Sequence, residues 1–184
     1  MIRRKILLVG NGPCVLDSDR GHEIDDFEGK IVRFNGYEIE GYEKYVGTRT
    51  DILALGMLSI TEQLKLEYDY ILLYQSGLDG GAGLRKVKKL SPHNEVIFFP
   101  LHAKDKIKEL LELPRKIEPT TGVITVYWFT RPDVELYLYG FDFFERGGEY
   151  FNKKIIPADI RCHNPGTEKV YVEYLIEQNL IRRF

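Results

Sequence analysis

This chain has little cysteine, no long apolar run and almost no net charge. Two cysteines in 184 residues, Cys14 and Cys162, are too few for a disulfide-stapled secreted scaffold and lack the spacing of a zinc site. No stretch approaches the twenty apolar residues of a membrane-spanning helix, and the first apolar run, residues 6–9, is too short for a signal-peptide core. We therefore expect a cytoplasmic protein without a transmembrane segment.

The charge balance is close to neutral, with a formal net charge of -2. A chain without a broad cationic face is not expected to bind nucleic acid, and the small basic clusters at residues 3–5 and 182–183 fit solvated chain ends. The length predicts one domain, residues 1–184, with a real core. Apolar residues at 43% and charged residues at 29% exclude long disorder.

The apolar pattern alternates between strand-like and helix-like stretches. Runs rich in β-branched, aromatic and aliphatic residues predict six strands, at 5–9, 31–34, 51–55, 70–74, 96–99 and 134–139. Helices are predicted at 57–67, 84–90, 103–112, 121–130 and 168–179, and long loops at 77–83 and 142–159. This order predicts an α/β fold with a mostly parallel central sheet flanked by helices.

A Gly-Asn-Gly-Pro turn at residues 10–13 follows the first predicted strand. Glycines let a ligand approach the backbone closely, and the free N–H groups of a following helix favour an anion. The third glycine of a dinucleotide fingerprint is missing near Val15, so NAD or FAD binding is not expected. Taken alone, the loop fits a plain turn equally well.

A second loop, Pro-Thr-Thr-Gly at residues 119–122, precedes the apolar stretch 123–129. Its threonine hydroxyls can cap a helix and can also donate to a phosphate, and the motif alone is compatible with a cap and nothing more. Two such loops on parallel strands meet at the carboxyl edge of the sheet, where open α/β folds bind ligands. Together the two loops indicate a nucleotide cleft.

The order of the motifs resembles the sialyltransferases. Val-Gly-Asn-Gly at 9–12, Val-Arg-Phe-Asn at 32–35 and Val-Gly-Thr-Arg-Thr at 46–50 are similar to the long sialyl motif of the eukaryotic-type enzymes of glycosyltransferase family 29. Pro-Thr-Thr-Gly at 119–122 with Leu-Tyr-Gly-Phe at 138–141 resembles the small motif, and His163 with Glu168 resembles the very small motif. The first loop and Gly-Phe-Asp-Phe at 140–143 also resemble the bacterial sialyltransferases of family 42.

The resemblance implies a single-domain variant Rossmann-like (GT-A-like) fold and an inverting, metal-independent glycosyltransferase without a cofactor. Such an enzyme moves sialic acid or a related ulosonic acid from a CMP-sugar donor to a hydroxyl of a glycan or glycolipid acceptor. The implied site consists of His163 as general base, Glu168 and Tyr150 in support, and donor nucleotide-binding residues at Gly10, Asn11, Gly12, Asn35, Thr120, Thr121 and Gly122. The acceptor is expected to contact the segments around 77–83 and 142–159.

Departures from the family pattern keep two alternatives open. The cysteines that the eukaryotic enzymes pair correspond to Ile6 and Asp133, so that disulfide cannot form. Glu-Tyr-Phe at 149–151 is the nearest counterpart of the His-Tyr-Tyr motif that assists the leaving phosphate, and Glu118 replaces a frequent tyrosine. The chain is thus alternatively a non-catalytic nucleotide- or glycan-binding protein, or a transferase that uses another nucleotide sugar.

Two further residue groups have competing interpretations. Asp-Ser-Asp at 17–19 matches the signature of metal-dependent glycosyltransferases, but it directly follows the first loop, where a turn or helix cap is the simpler interpretation. His163 can accept a proton as a neutral imidazole, whereas without the resemblance a loop histidine packed beside Cys162 explains it as well.

Overall fold

The fold is built on one open parallel sheet. The computed structural model describes residues 3–56, 62–74, 85, 87–146, 150–152 and 162–184. Its strands lie side by side in the order β5-β4-β3-β2-β1-β6-β7, and every neighbouring pair is parallel. Their bounds are β1 Arg4–Val9, β2 Lys30–Phe34, β3 Ile52–Gly56, β4 Tyr70–Tyr74, β5 Val96–Phe98, β6 Val134–Tyr139 and β7 Ile181–Arg183.

Helices cover both faces of this sheet. They are α1 Gly21–Asp25, α2 Glu43–Val46, α3 Leu101–Leu110, α4 Thr121–Phe129 and α5 Pro165–Glu177, with 3-10 helices at Pro13–Asp17 and Glu62–Lys65; residues 87–90 are also helical. Side chains alternate between the faces of a strand, so Ile6 and Leu8 pack against α3, α4 and α5, whereas Leu7 and Val9 pack against α1 and α2. This double burial explains why the strands are continuous apolar runs.

The six strands predicted from the sequence are confirmed, with ends shifted by about one residue. The seventh strand, β7, was missed because three residues with two arginines carry no strand pattern; Ile181 pairs with Leu136 at the sheet edge. The short helices α1 and α2 were also missed. The last predicted helix begins at Pro165 instead of Glu168, since Asn164 caps it by accepting the Thr167 N–H at 3.3 Å.

Other expectations fall partly outside the described residues. The predicted loop 77–83 lies entirely outside them, as do parts of the segment 142–159 and of the predicted helices 57–67 and 84–90. The described part of 57–67 contains a 3-10 helix, Glu62–Lys65, and not the α-helix that we predicted. Within the described ranges, no helix combines the length and the apolar character needed to cross a membrane.

Residues 46–50, which resemble part of the long sialyl motif, hold the connection between β2 and β3. Arg33 is 1% exposed, and its guanidinium donates to the Thr50 hydroxyl at 2.9 Å and to the carbonyls of Arg49 and Val46. The Asp25 carboxylate accepts the N–H groups of Thr48 and Arg49 at 2.7 and 2.9 Å. A buried guanidinium needs such hydrogen-bond partners, so residues 46–50 stabilise the connection between β2 and β3.

The order in which strands are added to the sheet reverses at β1: strands β2 to β5 extend the sheet on one side of β1, and β6 and β7 extend it on the other. The ends of β1 and β6 approach closely: Gly10 N–H donates to Tyr139 O at 2.7 Å and Gly12 N–H donates to Gly140 O at 2.9 Å. A Cβ atom at Gly10 would lie 2.4 Å from Gly140 O. The glycines of the first loop are therefore required by this backbone contact, and the crevice above it is a topological switch point.

We expect Gly140→Ala to destabilise the protein by about 2–4 kcal/mol, the sum of an overpacking cost and an unfavourable left-handed backbone. Gly140 has φ +75°, and a Cβ there would lie 2.5 Å from Val15 Cγ1. Gly41→Ala is the matched control, since Gly41 has φ +81° but no atom within 4 Å of the added Cβ. Urea unfolding of both variants measures the difference, and equal losses would show that the β1–β6 contact tolerates a side chain.

Candidate functional site

A cavity of about 260 Å³ opens at the carboxyl edge of the sheet, above the ends of β1 and β6. Residues from eight separate stretches of the chain line it. They include every site residue that the sequence predicted: Gly10, Asn11, Gly12, Asn35, Thr120, Thr121, Gly122, Tyr150, His163 and Glu168. The fold thus brings together in one cleft residues that lie up to 158 positions apart in the chain, from Gly10 to Glu168.

Asn11, Asn35 and Tyr150 form one connected group on the first-loop side. Asn11 is 9% exposed, and its amide donates to Phe34 O at 3.0 Å, which fixes the loop to the end of β2. Asn35 has φ 51°, and its side-chain oxygen accepts the Gly56 N–H at 2.9 Å. Burial raises the pKa of the Tyr150 hydroxyl, although hydrogen bonds from the Asn35 and Asn11 side chains oppose that shift. The phenol therefore stays protonated and can donate.

Thr120 and Glu168 join helix α4 to helix α5. The Glu168 carboxylate is 2% exposed and accepts the Thr120 N–H at 2.8 Å and the Thr120 hydroxyl at 2.6 Å. The same hydroxyl accepts the Val123 N–H at 3.2 Å and so caps α4. Burial raises the pKa of Glu168 to about 7, against the lowering effect of the two Thr120 hydrogen bonds. The Thr120 hydroxyl is fully engaged within the protein.

Thr121 and Gly122 begin α4 and present its first N–H groups to the cavity. These groups have no acceptor within the helix, and the helix dipole adds partial positive charge at this end. Phe141 lies directly below, since a Cβ at Gly122 would be 3.1 Å from its ring. The arrangement provides two backbone donors, and a threonine hydroxyl beside them, for an anion.

His163 is held against the loop before α4. Its Nδ1 lies 2.6 Å from the carbonyl oxygen of Glu118, and because a carbonyl only accepts, Nδ1 carries the proton. Glu118 N–H in turn donates to Cys162 O at 2.8 Å. In the neutral ring, Nε2 is then the basic nitrogen. His163 therefore has the tautomer and the fixed orientation that a general base needs.

The Glu118 side chain is anchored by two lysines of α3, a feature that the sequence did not reveal. Lys104 Nζ lies 2.7 Å from Oε2, Lys108 Nζ lies 3.0 Å from Oε1, and Tyr74 donates its hydroxyl to Oε2 at 3.3 Å. Burial would raise the pKa of Glu118, but the two lysine hydrogen bonds outweigh it and lower the pKa. This anchored carboxylate fixes the backbone that orients His163.

The segment after β6 contributes residues to which the sequence assigned no individual role. Asp142 lines the cavity, burial raises the pKa of its carboxyl, and its Oδ1 accepts the Phe144 N–H at 3.2 Å. Phe143 and Phe144 line the same cavity, with φ values of 52° and 60°. The sequence indicated them only as part of Gly-Phe-Asp-Phe at 140–143 and of the segment 142–159 that was expected to contact the acceptor.

The acidic residues of the Asp-Ser-Asp sequence are engaged in ion pairs. Asp17 binds Arg146 through both carboxylate oxygens, at 2.8 and 2.6 Å, and Asp19 lies 3.5 Å from Lys44 Nζ. Neither aspartate lines the cavity. Asp17 thus ties the 3-10 helix after the first loop to the segment after β6.

The fold and the cavity place the protein in a structural class. It is an open α/β protein whose candidate ligand site lies at a topological switch point, between a helix N-terminus and a fixed histidine.

A family model described as glycosyltransferase family 29 (sialyltransferase) matches residues 4–81. The chain is also similar to alpha-N-acetylgalactosaminide alpha-2,6-sialyltransferase 1 of Mus musculus and of Homo sapiens. Each is 40% identical over 57 residues, or 31% of this chain.

Those 57 residues amount to 11% of the mouse protein and 9% of the human protein, so the match covers about a tenth of each relative. Among solved structures, the chain is similar to a mammalian sialyltransferase with a TM-score of 0.77 and 19% identity, over 99% of this chain and 69% of that chain. The same values hold for a mammalian sialyltransferase in complex with Gal-beta-1-3GalNAc-ortho-nitrophenol. At this identity the structural likeness shows the fold.

The family model over residues 4–81, the curated relatives over 57 residues and the shared fold all agree with the resemblance to glycosyltransferase family 29. The resemblance seen in the sequence and the α/β fold class that it implied are confirmed.

The buried Glu168 carboxyl predicts a pH-dependent stability. Its pKa is about 7 in the folded protein against an ordinary value of 4.5, so between these values the folded state binds more protons than the unfolded state. The free energy of unfolding therefore falls as pH rises from about 4.5 to 7. For the wild type, we expect the free energy of unfolding to decrease by on the order of 1–3 kcal/mol between pH 5 and 8. The Glu168→Gln variant stays neutral at this position and should lack this decrease.

Urea unfolding at several pH values measures this slope for wild type and variant. Glu177→Gln on the exposed side of the same helix is the control and should leave the slope unchanged. Identical slopes for wild type and Glu168→Gln would mean that Glu168 ionises normally despite its burial.

Proposed function

We propose that the protein is a sialyltransferase that transfers sialic acid or a related ulosonic acid from a CMP-sugar to a hydroxyl of a glycan, with inversion and without a metal ion. The observation that carries the proposal is the sharing of one cavity by the N-terminus of α4 and His163. The N–H groups at the N-terminus of α4 can bind a phosphate, and His163 can accept the proton of the attacking hydroxyl. The resemblance to family 29 gives the reaction class that unites them.

The donor nucleotide would lie between the first loop and α4. In the CMP-sugar the phosphate is a diester that joins the ribose to the anomeric carbon, and it leaves as the monoester CMP. The N–H groups of Thr121 and Gly122 and the Tyr150 hydroxyl are suitable donors for the negative charge that develops on this leaving group. Asn11 and Asn35 are held in place by Phe34 and Gly56 and can contact the ribose. Preorganised donors of this kind stabilise a leaving phosphate without a cation.

His163 would take the proton from the acceptor hydroxyl through Nε2. The Nδ1 hydrogen bond to Glu118 stabilises the imidazolium as it forms, since the carbonyl dipole points at the protonated ring. The attacking oxygen then reaches the anomeric carbon from the side opposite the leaving CMP, and this single displacement inverts the configuration. A glycan acceptor is supported by the solved mammalian sialyltransferase that carries Gal-beta-1-3GalNAc-ortho-nitrophenol.

Nucleotide selectivity tests the donor half of the proposal. We expect CMP to raise the melting temperature while UMP, GMP and UDP do not, because ligand at a hundred times its Kd stabilises by about 2.7 kcal/mol. Thr121→Val, which keeps the shape of the side chain but removes its hydroxyl, should weaken CMP binding about 5- to 30-fold in calorimetry with an unchanged melting temperature. A preference for a diphosphate nucleotide would indicate another nucleotide sugar as donor.

Turnover tests the acceptor half. His163→Ala should lower the rate of glycan-dependent CMP release by a factor of about 10² to 10⁴, with little change in CMP affinity, because only proton transfer is removed. His93→Ala, an exposed histidine that binds Leu66 O away from the cavity, is the matched control and should keep the wild-type rate. CMP binding by a wild type that never releases CMP from a donor would identify a non-catalytic binding protein.

A further inference from the structure

The turn formed by residues 142–146, here called the aromatic turn, contains two bulky residues in a backbone region that they rarely adopt. Phe143 has φ 52° and Phe144 has φ 60°. A non-glycine residue in this region costs about 1–3 kcal/mol and persists only where surrounding contacts enforce it. Aromatic side chains here are true outliers. Two consecutive ones at the rim of a cavity call for a functional reason.

Contacts on both sides enforce this conformation. Within the turn, Asp142 accepts the N–H groups of Phe144, through Oδ1 at 3.2 Å, and of Glu145, through its carbonyl at 3.1 Å. On one side, Arg146 forms the two-oxygen ion pair with Asp17 after the first loop. On the other side of the turn, Glu145 Oε1 lies 2.5 Å from the Nζ atom of Lys169 on α5. The turn therefore spans the space between the first loop and the helix that follows His163.

The two phenylalanines differ in what they contact. Phe143 packs against the core, and its ring centroid lies 6.3 Å from that of Phe141. Phe144 belongs to none of the three apolar clusters that the described residues form, and it has no ring partner among the described aromatics. Phe144 lines the cavity and is partly exposed. The strain at Phe144 is thus not compensated by packing of its own ring in the core.

We propose that Phe144 is a stacking platform for the apolar face of the acceptor pyranose, and so a specificity-determining residue for the acceptor. The C–H groups on one face of a pyranose complement the negative face of an aromatic ring, and burial of both surfaces adds a hydrophobic gain. The aromatic turn is tied through Glu145 and Lys169 to α5, which begins two residues after His163, and Phe144 and His163 line the same cavity. The inference rests on the proposed transfer to a glycan.

Substitution by glycine separates a ligand role from a packing role. Glycine adopts φ 60° without strain, so Phe144→Gly should unfold at the wild-type temperature or above it. The affinity for methyl β-D-galactopyranoside, titrated in the presence of saturating CMP, should fall about 5- to 10-fold for loss of one stacked ring, with CMP affinity unchanged. The Phe144→Tyr variant keeps an aromatic ring and should bind the galactoside with the wild-type affinity.

Glu112→Gly is the matched control. Glu112 has φ 49° and is exposed at the end of α3, outside the cavity lining, so this variant relieves comparable strain without removing a ring from the site. It should raise the melting temperature and leave both affinities unchanged.

Three results would overturn the inference. Undiminished galactoside affinity in Phe144→Gly would exclude stacking, and a lower melting temperature with parallel losses of both affinities would assign Phe144 to packing. A wild type that binds CMP but no galactoside would refute the acceptor platform and leave the proposed donor intact. If CMP fails to bind, the proposed function fails instead, and the galactoside titration without CMP still reports on Phe144.

Discussion

The close backbone contact between the ends of β1 and β6 is the constraint on which the rest of the site depends. Gly10 and Gly12 can approach Gly140 only because none of the three carries a side chain. Their contact fixes the first loop on one side of the crevice and the segment after β6 on the other. The cavity opens above these two strand ends, so the sheet order, and not a single motif, places the site.

A second constraint joins α4, which carries the proposed phosphate donors, to α5, which begins two residues after the proposed base His163. Glu168 reaches from α5 to both the N–H and the hydroxyl of Thr120, and the Glu118 carbonyl holds His163 from the opposite direction. These bonds cross between elements that are far apart in sequence. Burial of the Glu168 carboxylate makes the link costly to break and sensitive to pH at the same time.

Several residues of the family-like motifs support the site through hydrogen bonds within the protein. Thr120 uses its hydroxyl for Glu168 and for the helix cap, and Arg33 and Arg49 bind backbone carbonyls below the cleft. Pattern and spacing identify that such residues matter, but not whether a hydroxyl or guanidinium is already satisfied by the protein. The reverse case is Phe144, which no motif indicated and which the fold leaves without packing partners in the described core.

The sequence by itself determined strands β1 to β6, the parallel arrangement of the α/β class and the two glycine- and threonine-containing loops, because these depend on local apolar runs and turn chemistry. It did not reveal β7, whose three residues become a strand only by pairing with Leu136 and its neighbours. Tertiary structure alone decided that the Glu118 carbonyl orients His163 and that the Glu168 carboxylate accepts a hydrogen bond from the Thr120 hydroxyl. Such contacts join residues 45 and 48 positions apart, and their geometry is fixed only when the sheet and helices pack.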